Sequence, residues 1–541
     1  MTNNLTPSSD LVLEKLGINP HNLSADFPTR EQRLHYRAVV QWLTDYKPKL
    51  DASNLEKVKG YLEAFHYLSD VKDGEKAGKV INIRLSTPGI TDKLHWQLAI
   101  WGYYRELTAI YTRVLEISRS TSCQRGEGNA LSGLGSTYFF LGDYHKAIDF
   151  YQKSLKIARE IADQRGMGRA LGNLGSAYHT LGNNHEAIDY YEQHLAIARE
   201  LSDREGEGTA LGNLGSLHGS LGNYQQSIEF YQQRLSIARE LSDRKGEGVA
   251  LGNIGSVYLR LGNYQQAIEF HQQRLLIACE IGDRRGEGVA LRNLGSAYSS
   301  LGHYQQSIEF YQEGLSIARE IGDRQGEGSA LGGLGSTHSI LGNYQQAIEF
   351  HQQDLMIAHE IGDQQGEGDA LGNLGIAYFR LGDYQQAIEF HYQRLTIVQE
   401  IGDCQGEVIA LASIGETLIK LEQFSIALIC LQNALSFAQD IHDLALEAQV
   451  KTAISKVYLE QALYRETMEC LESALKISKY IQDRSLEAKV LKAFAELYYK
   501  LENSTLALES CDRALSIATE LGIPLAKECQ ELKEQLLSEQ T

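Results

Sequence analysis

Proline is nearly missing from this chain: six in 541 residues, with none between Pro88 and Pro524. So long a stretch without the residue that breaks helices leaves nothing to interrupt helix after helix. Cysteine is sparse and scattered. Cys123, Cys279, Cys404, Cys430, Cys470, Cys511 and Cys529 show no close pairing, which excludes a zinc knuckle and a disulfide framework and suits a reducing compartment. No apolar run is long enough to span a bilayer, and "MTNNLTPSSDLVLEKLG" lacks the basic stretch and apolar core of a secretion signal. A cytoplasmic protein with no membrane role is expected. A basic surplus is also absent: 70 acidic against 51 basic residues give a formal charge of -19, which removes the global attraction that recruits nucleic acid. The 43% hydrophobic content is ample for a buried core.

What the sequence does have is a period. Gly126, Gly166, Gly206, Gly246, Gly286, Gly326, Gly366 and Gly406 stand forty residues apart without an insertion, and the register continues through Leu446 and Leu486. That makes ten units. Within the first, Ala130, Leu131, Leu134, Tyr138 and Leu141 recur at helical spacing, and Tyr144, Ala147, Ile148, Tyr151, Leu155 and Ala158 do so again. Between them "LGDY" offers Gly142 to end the first helix, and joints such as "IGDRRGEG" offer a glycine to close the second and an aspartate to cap the next. A helix pair this short cannot bury both its faces, so the pairs must stack into an all-α solenoid.

The phrase "ALGNLGSAY", Ala170 to Tyr178, places two glycines inside such a helix. Gly175 recurs as Gly135, Gly215, Gly255, Gly295, Gly335, Gly375 and Gly415, then becomes Ser455 and Ala495. What that column tolerates is smallness, as expected where helices of neighbouring units touch closely. Gly172 behaves otherwise: Arg292, Thr452 and Lys492 take its place, so it is expected to face solvent or a ligand.

Leu131, Leu134, Gly135, Tyr138, Ala147 and Tyr151 together resemble the tetratricopeptide repeat, here in a forty-residue form rather than the usual 34. "ALGNLG" and "QQRLxIAxEIGDRxGEG" look most like the repeats of Pins-type spindle-orientation adaptors and of many cyanobacterial repeat proteins. The resemblance implies a right-handed superhelix in which the first helix of each pair lines a concave groove that holds a partner peptide. The expected organisation is an irregular helical segment over 1–50, degenerate repeats acting as an amino-terminal cap over 51–125, ten repeats over 126–524, and a capping helix over 525–541. The polar capping helix argues against end-to-end filaments. The oligomeric state is left open, and a monomer is compatible with the repeat.

Chemistry is harder to find. "GEKAGKV", Gly74 to Val80, has three rather than four residues between its glycines and ends in Val80 where a phosphate loop needs a hydroxyl. It is expected to lie in a helix. The "GEG" tripeptides lack the third glycine and preceding strand of a dinucleotide site. His271, His351 and His391 replace Tyr151-type residues and read as stacked histidines rather than metal ligands. No nucleophile, base and orienting acid can be assembled, so no enzyme, cofactor or metal is expected.

The face that carries Arg169, Gly172, Asn173, Ser176, His179 and Thr180 lies opposite Leu171, Leu174 and Tyr178, and the resemblance makes it the groove. Asn173, Asn213, Asn253, Asn293 and Asn373 stand there in equivalent places. Each either bridges neighbouring units or offers its amide to an extended peptide backbone. Corresponding positions supply Arg169, Arg260, Arg292, Arg380, Lys420, Lys456, Lys489, Lys492 and Lys500 against Asp369, Glu416, Glu460 and Glu496. The groove is therefore expected to be less negative than the body and to suit an acidic or phosphorylated segment. The candidate binding residues are the five asparagines with Arg169, Arg260, Arg292 and Arg380. The expected function is a non-catalytic scaffold or adaptor that binds a protein segment in the groove, with no nucleic-acid partner. The alternative is a ligand- or peptide-sensing regulatory module controlling a separate signalling ATPase, protease or transcription factor.

Overall fold

The computed structural model describes residues 6–49, 52–85, 93–523 and 525–538. Pro88 and Pro524, which bracket the proline-free stretch, lie outside them. The described residues form 28 helices, and their only extended pairing is an isolated bridge between Arg84 and Lys93. The repeat unfolds as read: Gln164–Thr180 with Asn184–Glu200 is one antiparallel pair, Arg204–Ser220 with Tyr224–Glu240 the next. Ahead of the repeats, Asn54–Asp70 and Gly74–Ile81 make a further pair. The phosphate-loop look-alike is thus a helix.

The joints are built by two devices. Gly282, Gly322, Gly362 and Gly402 end the longer second helices at φ of +68°, +70°, +71° and +73°. Ala162, Ser202 and Ser242 take the same left-handed conformation at +52°, +51° and +55°, which costs a residue with a Cβ about 1 kcal/mol or more. The aspartate that follows then caps the next helix: Asp163 and Asp283 each accept the N–H of the glycine three residues on at 3.0 Å. That carboxylate leans over the glycine, so a methyl group on Gly286 would stand 2.6 Å from Asp283 Oδ2. The glycine that keeps the period is there to admit the cap.

Each of the first seven units is closed by one ring. The Tyr151 ring lies over Gly135 and that of Tyr191 over Gly175, with 2.6 Å to a Cβ built at either glycine. The close contact therefore joins the two helices of one unit, not helices of neighbouring units as expected from sequence. It explains the drift of the column, because Gly415 faces Leu431, Ser455 the equivalent Leu471, and Ala495 the equivalent Cys511, a small neighbour gaining bulk as the ring is lost. A second, outer ring pair stacks in each of the first seven units, as Tyr178 does on Tyr190 at 5.4 Å and Tyr258 on Phe270 at 5.4 Å. Units are tied by ions: Arg199, Arg239 and Arg319 pair with Glu207, Glu247 and Glu327 of the next unit at 2.9, 2.9 and 2.8 Å, and the same kind of pair also braces units internally. Arg244 pairs with Glu247 at 2.5 Å and with Glu280 of the same unit's second helix, and Arg204, Arg284 and Arg324 repeat the arrangement with Glu240, Glu320 and Glu360.

The coil closes on itself. The Trp101 indole N–H donates to the carbonyl of Ile321, 220 residues away, at 3.3 Å. A Cβ on Gly102 would fall 2.5 Å from Ile361, one on Gly362 3.2 Å from Leu141, and one on Gly402 2.9 Å from His145. Ile361 belongs to the amino-terminal core and Ile401 to the core around Tyr144 and Leu171. Turn tips of one superhelical turn thus rest on the joints of the next, and the first helices face the space enclosed between them.

Candidate functional site: the concave wall

A cavity of about 1920 Å³ opens on this inner side, and its wall includes Arg125, Asn129, Arg169, Asn173, Thr209 and Asn213 from the first helices of three successive units. Trp96, Tyr111 and Phe140 line its amino-terminal end. Of the residues expected in the groove, Arg169, Asn173 and Asn213 come together in this cavity. Asn253, Asn293, Asn373, Arg260, Arg292 and Arg380 hold the equivalent face further along the solenoid, outside the cavity.

The amide ladder divides. Asn173 Nδ2 donates to Ser132 Oγ of the preceding unit at 3.3 Å, which is the bridging reading. Asn213, Asn253, Asn293 and Asn373 are half-buried and their side chains have no hydrogen-bond partner among the described residues. A half-buried amide without a partner retains two donors and an acceptor for something else. The basic residues divide as well. Arg169 donates to Asn129 at 3.3 Å and Arg260 to the Gly219 carbonyl at 3.0 Å, each reaching back one unit. Lys456 is bound to Glu416 at 2.8 Å, and Lys492 lies between Glu496 at 3.1 Å and Glu528 at 3.3 Å. Neighbouring carboxylates thus consume part of the basic surplus toward the carboxy terminus.

Gly172 corrects the sequence reading. It is buried, not open to solvent, because His194 of the second helix lies across it, its ring 3.0 Å from a Cβ built there. Each unit has this slot between its two helices, and the side chain filling it changes along the chain. Ser154 faces Ser132, His194 faces Gly172, Arg234 faces Gly212, Arg274 faces Gly252, Asp354 faces Gly332 and Arg394 faces Gly372. In the unit from Gly286 the roles are exchanged. Arg292 comes from the first helix and Gly314 makes room for it, with Arg292 Cγ 3.0 Å from a Cβ built at Gly314. Three consecutive slots therefore hold a guanidinium, whichever helix supplies it.

Burial pushes Arg274 down to about 10, with repulsion from Arg292 and Arg234 acting in the same direction, and burial also lowers Arg234 and Arg292. None of the three makes a hydrogen bond or ion pair among the described residues. Asp243, Asp283 and Asp323 stand near enough to favour their charge but are occupied as helix caps. One slot on, burial and the neighbouring Asp369 and Asp363 push Asp354 up to about 7. Arg394 has Asp369 at 3.8 Å. Sequence reasoning restricted the groove to first helices and so missed Arg234 and Arg274. The signal lay in the reciprocal exchange of glycine and side chain between two columns 22 residues apart.

The family model for the tetratricopeptide repeat matches residues 104–160, 166–240, 246–320 and 322–400. No curated protein sequence matches the chain significantly. Among solved structures, a Rap protein complexed with competence and sporulation factor aligns at TM-score 0.47 with 15% identity, over 65% of this chain and 98% of that one. Aspartyl phosphate phosphatase F from Bacillus subtilis aligns at 0.43 with 14% identity, over 65% and 93%. Yeast Tom70 aligns at 0.43 with 12% identity, over 82% and 96%. Similarity this distant adds nothing to the repeat itself, which spans more than half of the chain and carries its own pattern of ring, glycine and cap: the chain belongs to the tetratricopeptide repeat family.

Proposed function

We propose that this protein is a non-catalytic scaffold whose concave wall binds a segment of a partner protein in extended form. The observation that carries the reading is the row of unpartnered amides at Asn213, Asn253, Asn293 and Asn373, half-buried on the inner face in four of five successive units, Gly333 interrupting the row. An amide in that state favours a ligand that presents backbone N–H and C=O groups in series. Arg169, Asn173 and Arg260 take part as neighbours already braced by the preceding unit, and Arg292 and Arg380 bring positive charge to the same face.

The test starts by placing a photo-crosslinking residue at Asn253 in the native host to identify the protein that lies on the wall. Calorimetry then compares that purified partner with the parent and with the Asn213→Ala, Asn253→Ala, Asn293→Ala variant. Each lost amide contact costs about 1 to 3 kcal/mol where its ligand group goes unpaired, whereas exposed substitutions change folding by about 0.5 kcal/mol or less. Asn173→Ala is the contrast, because its amide is already spent on Ser132. If the triple variant binds normally but unfolds early, the ladder is structural and this reading falls.

A further inference from the structure

Cations half-buried without partners are uncommon, because desolvation is unfavourable unless an opposite charge or acceptors offset it. Elsewhere on this chain Arg204, Arg244, Arg284 and Arg324, which stand at the joints, each hold two glutamates. Arg234, Arg274 and Arg292 are the exception. They fill the slot in three consecutive units, immediately beyond the cavity wall where His194 fills the same slot, and they are close enough to repel one another.

We propose that Arg234, Arg274 and Arg292 form an anion-binding row that takes an acidic segment of the partner chain, one carboxylate or phosphoryl group per arginine. The proposal rests on the peptide reading above and names the chemistry of its ligand. Planar guanidinium groups suit both anions, since their forked N–H donors match a pair of oxygens. First helices of successive units pack directly on one another, and packed helices lie about 8 to 10 Å apart. An extended chain advances about 3.3 Å per residue, so acidic residues at every third position match the row. The next slot holds Asp354, with Asp363 and Asp369 close by; repulsion there ends the acidic segment and fixes its length at three anions.

The test uses the full chain and four probes: a nine-residue fluorescent peptide with glutamate at every third position, its phosphoserine counterpart, its glutamine counterpart, and inorganic tripolyphosphate. Fluorescence anisotropy and calorimetry are run at low and at physiological salt. The glutamate peptide should bind at least about tenfold more tightly than the glutamine one, a preference that salt weakens. Arg234→Ser and Arg274→Ser introduce the residue that Ser154 already places in this slot, and with Arg292→Gln they should abolish the preference while helicity by circular dichroism is kept. Equal binding of glutamate and glutamine peptides, or a preference retained by the triple variant, overturns the anion row and leaves the peptide reading standing. Arginine-dependent binding of tripolyphosphate with no peptide bound overturns the peptide reading and with it the proposed occupant. No response to any probe overturns both. Tighter binding of the phosphoserine than of the glutamate peptide, lost in the triple variant, supports the row and assigns it to phosphorylated segments.

Discussion

Mild acid should loosen the unit around His271 first. His271, His351 and His391 replace the closing ring of their units, and each is buried, at 0%, 1% and 2% exposure. Burial pushes all three down to about 4 from the ordinary 6.5, with Arg274 beside His271 and Arg394 beside His391 acting in the same direction and Glu416 against it at His391. The folded imidazole therefore stays neutral while the unfolded one takes up a proton. Stability is complete above pH 6.5 and is lost as pH falls towards 4. A shift of about 2.5 pKa units corresponds to about 3.4 kcal/mol per histidine once fully developed, and to about 2 kcal/mol at pH 5. His351 shares its unit with Asp354, whose raised pKa works in the opposite sense, since that folded carboxyl takes up a proton before the unfolded one does. The unit from Gly246 to Arg285 is therefore the clean case.

Two assays read this out: amide exchange by mass spectrometry at pH 7 and pH 5, corrected for intrinsic rates, and urea midpoints over the same range. His271→Tyr should remove the acid sensitivity of its unit. Tyr191 shows the fit, its hydroxyl donating to Ser176 at 3.1 Å, and Ser256 stands in the same relation to His271. His391 has Ile376 there instead, so a tyrosine hydroxyl would be buried unpaired and leucine, as at Leu431, is the matching replacement. If protection around His271 is the same at both pH values, or if His271→Tyr loses as much as the parent, burial does not hold the imidazole neutral and the reasoning fails.

Two glycines in equivalent helices should respond to alanine with opposite signs. At Gly175 a Cβ would meet the Tyr191 ring at 2.6 Å, and overpacking of about 1 to 3 kcal/mol outweighs the roughly 1 kcal/mol that alanine returns in helix propensity; at Gly128 the nearest side-chain atom is 3.5 Å away, so the gain should appear alone. Urea denaturation of the two variants compares them directly, and a Gly175→Ala protein as stable as Gly128→Ala would remove the ring contact as the cause. Trp101→Ala should expose the seam between superhelical turns, since the indole is 3% exposed and donates to Ile321. Large aromatic truncations cost about 3 to 5 kcal/mol, and here the loss should be felt as faster amide exchange in Tyr304–Ile321 and Arg324–Ile340. Unchanged exchange in those two helices would mean that the turns do not support one another.

Much of this was legible because a repeat tests itself ten times. The helix pairs and the capping aspartates follow from residues that recur at one spacing, where periodicity and cap chemistry agree, whereas the ring over the small column was not legible, since smallness shows a close contact but not which helix supplies it. The slot was not legible from one helix read alone. Gly172 looked exposed because Arg292, Thr452 and Lys492 share its column, but Gly314, Ala474 and Ala514 face those residues from the second helix. Bulk moves from one column to the other while the volume between the helices is conserved. The column identities carry that information only when taken in pairs.

The contacts between turns have a different origin, and no pairing of columns reveals them. Trp101 meets Ile321, and Leu141 lies under Gly362, at separations of 220 and 221 residues. Neither distance is a whole number of forty-residue units; each joins a turn within a pair to a joint between pairs. That offset is set by the small rotation each unit adds to the last, summed over more than five units. A nearest-neighbour interaction scheme fixes the rotation but contains no term for the place where the coil meets itself. The same summed rotation sets the width of the space that Asn213, Asn253 and Asn293 face. The loop-tip contacts therefore bear on the concave wall from outside: they hold the curvature of the surface that carries the three amides and the three guanidinium groups.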